Sequence, residues 1–469
     1  LLFKGGFMTS SVKYLAVRAL LTAAGLAISV LATAQTVPAP APPLAAATVE
    51  PERIILNLTG DPQHEMAITW RSAAGSAPGK VQFAISEPGP NFVSRTTEVL
   101  AKTEALTLDV QEQAGFQATY NSVVLKGLKP AARYVYRVGD GTHWSEWFQF
   151  STAGKPGDKF TFIYLGDAQN NVKEHWSRVL REALREDGKA SFMLHAGDLI
   201  NRHASDREWG EWFSAGGFIH AQTPSIMTPG NHEYGRPIDD TGARLSPQWR
   251  AQYTLPENGP EGRAKLKETA FYVDYQGVRV ISVDAPLLHG DEAERAAQVA
   301  WLDKILADNP NTWTVISLHF PLYSSEPDRD NPRVREALKP LIDKYKVDLL
   351  LQGHDHGYAR GAAPTARSKQ HPKDDATVYV VSVAGPKMYA VADLDWVDRK
   401  ASHTQLFQVL TVEGKSLNYK AFTANGELYD AFSLTKDAKG RKTRKDLKPA
   451  TPELWTPGKK PAKNGDLSQ

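Results

Sequence analysis

The chain has 469 residues, with 55 Lys and Arg against 53 Asp and Glu, a formal net charge of +2 and no cysteine. That length exceeds one hydrophobic core, so two folded units plus tails are expected, and the near-balanced charge gives no sign of a global nucleic-acid or membrane footprint. Disulfides, zinc-thiolate sites and thiol nucleophiles are excluded.

In the first segment, Lys13 and Arg18 precede an apolar stretch from Ala19 to Leu31, which ends in Ala32, Thr33 and Ala34 before Gln35. A charged start, a short apolar middle and small residues before the cut are what a signal peptidase reads. We expect a signal peptide over 1–34, with Met8 a more natural start than Leu1, and export to the periplasm or medium. The apolar stretch falls well short of the roughly 20 residues that span a bilayer, so no transmembrane helix is expected after signal removal. Residues 35–50 are rich in Pro and Ala and read as an extended linker.

From 51 to 153 the pattern changes to short alternating runs, RIILNL, MAITWRS, VQFAIS, ALTLDV, YNSVVL, RYVYRVG and WFQFST, separated by turn residues. Such spacing predicts an antiparallel β-sandwich with Trp70, Tyr134 and Tyr136 as core aromatics. After a hinge at Gly154 to Gly157, strands alternate with helical stretches such as HWSRVLREALRED and NPRVREALKPLIDKY, which predicts an α/β domain over 158–434. Its later runs, VYVVSVA, LFQVLTVEG, SLNYKAFTA and AFSL, follow one another closely and read as antiparallel. Residues 435–469 are basic and poor in aliphatics, and are expected to be a disordered tail.

Within the α/β part, metal-ligand-type side chains follow apolar runs: Asp167 after FTFIYLG, Asp198 after SFMLHAG, Asn231 and His232 after SIMTPG, His319 after VISL, and His354 and His356 after DLLLQG. Carboxyl ends of parallel strands converge on one crevice, so these residues can meet despite their separation. Asp198 has two oxygens and can bridge two cations about 3.5 to 4 Å apart. A Gly-Asp after a strand also caps helices, so the motif is weak alone. Asn231 offers a neutral amide oxygen to the second metal. His354 and His356, two apart on an extended segment, offer one imidazole to each, His319 adds a nitrogen to the second, and Asp167 gives the first its own carboxylate. His232 would overhang the open positions and bind a phosphoryl oxygen or protonate a departing alkoxide. Two divalent ions against two carboxylates and one hydroxide leave about one net positive charge, which suits a phosphate ester, and they acidify a shared water.

The order GD, GD, GNHE, VISLH and GHDH resembles the calcineurin-like metallophosphoesterases, and specifically their purple acid phosphatase branch. LKPAARYVYRVGDG with WSEWFQFSTAG resembles the fibronectin type III-like sandwich that precedes the phosphatase domain there, and GHDHGYAR resembles the last metal motif with its trailing Tyr358 and Arg360. The resemblance implies a fibronectin III-like sandwich followed by an α/β domain built as a β-sandwich flanked by helices. It also implies a first metal on Asp167, Asp198 and His356 and a second on Asp198, Asn231, His319 and His354. Asp, Asn and His ligands accept Fe, Mn and Zn in comparable geometries, so the expected pair is of Fe, Mn or Zn. Two positions depart from the pattern. Asn201 stands where purple enzymes carry the tyrosine that binds ferric iron, and Gln169 stands where related enzymes often carry His. Gln169, Asn201 and His195 are candidates for weak ligation or for bracing the ligands. No histidine lies between His319 and His354, so Arg329 or Arg333 is the candidate phosphate contact, with Tyr358 beside them. Gly385, Lys387 and Tyr389 are candidates for the pocket border, although Gly-Pro after a strand is also an ordinary turn.

The expected activity is hydrolysis of small phosphate monoesters. A phosphodiesterase or nucleotide hydrolase of the same fold is the close alternative, and a non-catalytic cell-surface binding protein the distant one.

Overall fold

A computed structural model describes residues 46–108, 116–235, 244–366 and 374–455. The expected signal segment and most of the linker lie outside the described residues. No described helix is long and apolar enough to cross a membrane.

The first eight strands are β1 (Glu52–Asn57), β2 (Met66–Ala73), β3 (Lys80–Ile85), β4 (Thr97–Leu100), β5 (Lys102–Leu108), β6 (Phe116–Leu125), β7 (Arg133–Gly139) and β8 (Phe148–Ser151). They form two layers, β1-β2-β6-β5 and β4-β3-β7-β8. Alternate side chains of the two layers meet, and Trp70, Tyr134 and Tyr136 are buried as expected. The strand that the sequence pattern misses is β4, whose residues are mostly exposed and therefore carry no alternating apolar signal.

Chain continuation gives β9 (Phe160–Leu165), β10 (Phe192–His195), β11 (Ser225–Met227), the short hairpin β12 (Tyr234–Gly235) and β13 (Arg244–Leu245), β14 (Phe271–Tyr275), β15 (Val278–Val283), β16 (Trp313–Leu318) and β17 (Leu349–Gln352). They are followed by β18 (Tyr358–Gly361), β19 (Val378–Val381), β20 (Val397–Ala401), β21 (Leu406–Glu413), β22 (Ser416–Thr423), β23 (Leu428–Lys436) and β24 (Lys442–Asp446). One sheet runs β24-β23-β22-β21-β9-β10-β11 and continues into β1-β2-β6-β5, because Asn57 of β1 pairs in parallel with Ser225 of β11. The other runs β14-β15-β16-β17-β19-β18-β20. Phe160, Phe162 and Tyr164 of the first sheet share a core with Tyr275, Val280, Val315 and Leu351 of the second. Alternate residues of the second sheet, such as Ile316 and Leu350, face the helices Glu292–Ala307 and Pro332–Lys344 instead. Strands buried on both faces explain the unbroken apolar runs.

Three expectations are corrected. The hinge at Gly154 to Gly157 is pinned: Gly154 N–H donates to Gln276 Oε1 at 2.7 Å and Gly157 N–H to the Gln276 carbonyl at 2.9 Å. VYVVSVA is not purely antiparallel, since β19 pairs in parallel with β17. The expected tail begins too early, because β24 pairs with β23 and Lys442 is buried, 3.3 Å from Asp348 Oδ1, with Lys436 Nζ 2.7 Å from Asp348 Oδ2. Those basic residues neutralise a buried carboxylate instead of being solvated. Order extends at least to Trp455, whose indole N–H donates to the Val391 carbonyl at 2.7 Å.

Candidate metal centre

Asp167, Asp198 and Asn231 follow the carboxyl ends of the parallel strands β9, β10 and β11, while His319 and His354 follow those of β16 and β17 in the facing sheet. The crevice is thus supplied by both sheets. Close approach requires glycine at two points: a Cβ on Gly353 would lie 2.3 Å from Asp167 Oδ1, and one on Gly230 would lie 2.3 Å from Asp198 Oδ1. Asp198 and His354 themselves take left-handed backbone, with φ of 52° and 73°. Such strain persists where the surroundings enforce it.

Two groups emerge that could hold a metal ion. Asp167, Asp198 and His356 form one, and Asp198, His319 and His354 the other, with ligand atoms in each lying within 4.8 Å of one another. Asp198 belongs to both. Asn231 joins the second group, its Oδ1 lying 3.2 Å from His319 Nε2. His319 Nε2 is 3.0 Å from Asp198 Oδ2, and His356 Nε2 is 3.3 Å from Asp167 Oδ2.

The imidazoles are oriented from behind. Backbone carbonyls can only accept, so the Nδ1–H of His319 donates to Ala196 at 2.9 Å, that of His356 to Lys387 at 3.0 Å, and that of His232 to Asn201 at 2.5 Å. In each ring Nε2 is left to face the cluster, the arrangement that metal-ligating histidines use.

Electrostatics favour a cation. Burial, then the Asp198 charge, pushes Asp167 up to about 7 despite His319. Burial would also raise Asp198, but His319 and His232 hold it below the usual carboxylate range. Burial would lower His319, but Asp198 and Asp167 raise it to about 9. Desolvation lowers His354, helped by His319 and Arg329, and His356, helped by Lys387. Asp167 Oδ2 and Gln169 Oε1 have no hydrogen-bond partner among the described residues. A donor set of buried carboxylates, amide oxygens and imidazoles fits divalent transition-metal ions.

Beside the ligands, Gln169 has its amide nitrogen 2.9 Å from His356 Nε2 and 3.4 Å from Asp198 Oδ2. Asn201 acts through its backbone carbonyl. His195 does not touch the ligands: it points to the opposite side of β10, 5.5 Å from the Trp212 ring. Tyr358 is not available to substrate either, being fully buried and donating to Asp430 at 2.6 Å. Arg329 adjoins the centre, but its guanidinium is committed to the His354 carbonyl and Asp355, both at 3.0 Å. Arg333 is exposed, and its charge is felt at His289. A cavity of about 600 Å³ lined by Glu326, Arg329 and Tyr389 opens beside the centre, and the Tyr389 ring lies 4.5 Å from that of His356.

Two positioning carboxylates carry no role in the sequence reading. Glu233 accepts from the backbone N–H of Asp198, Leu199 and Gly230 at 2.9, 2.8 and 2.7 Å, tying the GD and GNHE loops together. Burial and the Asp198 charge raise its pKa, while the backbone donors lower it. Asp355, between the two histidines, accepts from Ser324 Oγ at 2.7 Å and from Ser325 N–H at 2.6 Å. The only available signal was adjacency to a ligand.

Residues 51–152 match the purple acid phosphatase N-terminal domain, and residues 160–358 match the calcineurin-like phosphoesterase family. The chain is 27% identical to acid phosphatase type 7 of Danio rerio over 66% of this chain and 71% of that one. It is 23% identical to "Probable inactive purple acid phosphatase 1" of Arabidopsis thaliana, over 80% of this chain and 67% of the relative. Among solved structures, a purple acid phosphatase from yellow lupin seeds superposes with a TM-score of 0.67 at 20% identity, covering 83% of this chain and 75% of the other.

Proposed function

We propose that this chain, which belongs to the calcineurin-like metallophosphoesterases and carries the purple acid phosphatase N-terminal domain, is an exported phosphatase of small phosphate monoesters. The observation that carries the reading is the pair of ligand groups that share Asp198. Asp167, Asp198 and His356 would hold one metal, and Asp198, Asn231, His319 and His354 the other. Bound there, two divalent cations supply charge neutralisation for a phosphoryl group and lower the pKa of water.

The protein's own part is orientation and proton delivery. Glu233 and Asp355 fix the loops that present the ligands. His232 is partly exposed, with Nδ1 anchored on Asn201 and Nε2 3.9 Å from Asp198 Oδ2. With Nδ1–H held by the Asn201 carbonyl, donation by Nε2 requires the doubly protonated ring: as an imidazolium His232 would donate Nε2–H to a phosphoryl oxygen or to the leaving alkoxide. Export rests on the Lys13 to Ala34 pattern.

A second reading, phosphate binding without turnover, is favoured by the Arabidopsis relative whose name calls it inactive. The test is hydrolysis of aryl and alkyl phosphate monoesters and of the matching diesters by metal-loaded protein, before and after exhaustive chelation. Monoester turnover that chelation abolishes is expected. Diester turnover alone would shift the substrate class, and none with either ester would leave the binding reading.

A further inference from the structure

The helix Asp206–Gly216 is fastened at its start to the N-terminal sandwich. Arg53 donates to both carboxylate oxygens of Asp206 at 2.8 Å, and Arg71 Nη1 donates to Oδ2 at 2.9 Å. In the same first turn, Glu208 reaches back over the loop that follows Asp198. Its Oε2 accepts from the backbone N–H of Asn201 at 2.7 Å and of Arg202 at 2.8 Å, and its Oε1 accepts from Arg202 Nε at 2.8 Å.

The Arg202 N–H and the Asn201 carbonyl belong to one peptide plane, and in a trans peptide they point in opposite directions. Glu208 therefore grips one end of that plane while the other end accepts from His232 Nδ1. A carbonyl cannot donate, so its direction decides which ring nitrogen of His232 carries the fixed proton and which faces the metals.

From this geometry we propose that Glu208 is a positioning residue for His232, holding the Asn201–Arg202 peptide so that Nε2 meets the substrate. This rests on the reading of His232 as proton donor. Anchored on Arg53 and Arg71, the device makes the sandwich part of the catalytic framework.

The experiment compares wild type, Glu208→Ala, Glu208→Gln, His232→Ala and the double variant Glu208→Ala/His232→Ala, all metal-loaded, with metal content measured in each. Glu208→Ala should lower kcat about 10- to 100-fold, the range seen when a residue bracing a functional group is removed, with KM and metal content nearly unchanged. Glu208→Gln should recover most of it, because its amide oxygen still accepts both N–H groups. On the His232→Ala background the Glu208→Ala change should alter kcat less than about twofold, since interacting residues are non-additive.

Full kcat in Glu208→Ala, or an undiminished loss on the His232→Ala background, overturns the inference. Full kcat in His232→Ala overturns the proton-donor reading instead. An imidazole proton spectrum gives an answer without turnover: the slowly exchanging Nδ1–H assigned by its absence in His232→Ala should vanish in Glu208→Ala. Should that variant fail to fold, Glu208→Asp, too short to reach both N–H groups, should lose the same signal. Persistence of the signal would contradict the proposal.

Discussion

Buried histidines occur in two regions of this protein, and they do opposite things. His319 meets Asp198 and Asp167, and those carboxylates raise it to about 9. His195, three residues before Asp198, shares a cage with Trp176, Trp212 and His220, and burial lowers it to about 3. His220 stacks on Trp212 at 4.1 Å and is lowered to about 4 by burial. Residue type and burial are the same in both regions. The carboxylates make one a cation site, and their absence leaves the other an aromatic core.

Removing the shared carboxylate should break the contrast most severely. For Asp198→Asn we expect turnover to fall more than about 100-fold, beyond the range for residues that merely brace a ligand, together with loss of bound metal by elemental analysis. Undiminished turnover with full metal content in the folded variant would contradict the ligand assignment.

A smaller effect is read in protons. In metal-free protein near neutrality His319 is protonated and Asp167 is partly so, and a ligand must shed its proton to bind. Metal binding followed by calorimetry in buffers of different ionisation enthalpy should therefore release protons, with apparent affinity rising between pH 7 and 9. For stability the sign follows from the raised folded pKa values. The contribution of both groups is fully present at low pH and is lost as pH rises, through about 7 for Asp167 and about 9 for His319. Uptake without proton release would count against these ligands.

The tryptophan cage should respond with the opposite sign. His195 and His220 have folded pKa values of about 3 and about 4, below the ordinary 6.5, so the unfolded chain takes up protons first as pH falls. Their contribution is intact above about 6.5 and declines toward pH 4. His220→Leu should flatten that acid limb in denaturant titrations by roughly 3 kcal/mol at pH 4, about 1.4 kcal/mol per pKa unit, while leaving metal content unchanged. An unaltered acid limb would place the acid sensitivity elsewhere.

The ligand positions were legible because each follows a strand buried on both faces, and such strands write themselves as unbroken apolar runs. Their meeting was expected from converging strand ends, but the local pattern did not show that two facing sheets supply it, since strand order leaves no local trace. Adjacency to the GHDH motif misplaced Tyr358: along β18 it alternates with the same face as Arg360, and both turn inward to Asp430. Glu208 and Glu233 were silent because their partners are backbone amides, which every residue type supplies. The strand β24 was hidden by its basic composition, whose charges are matched only by remote carboxylates such as Asp348 and Asp398.

Whether two cations share Asp198 is tested most directly by anomalous scattering from crystals of the metal-loaded protein. Two peaks are expected, one among Asp167, Asp198 and His356 and the other among Asp198, Asn231, His319 and His354. A single peak, or peaks remote from Asp198, would contradict that sharing.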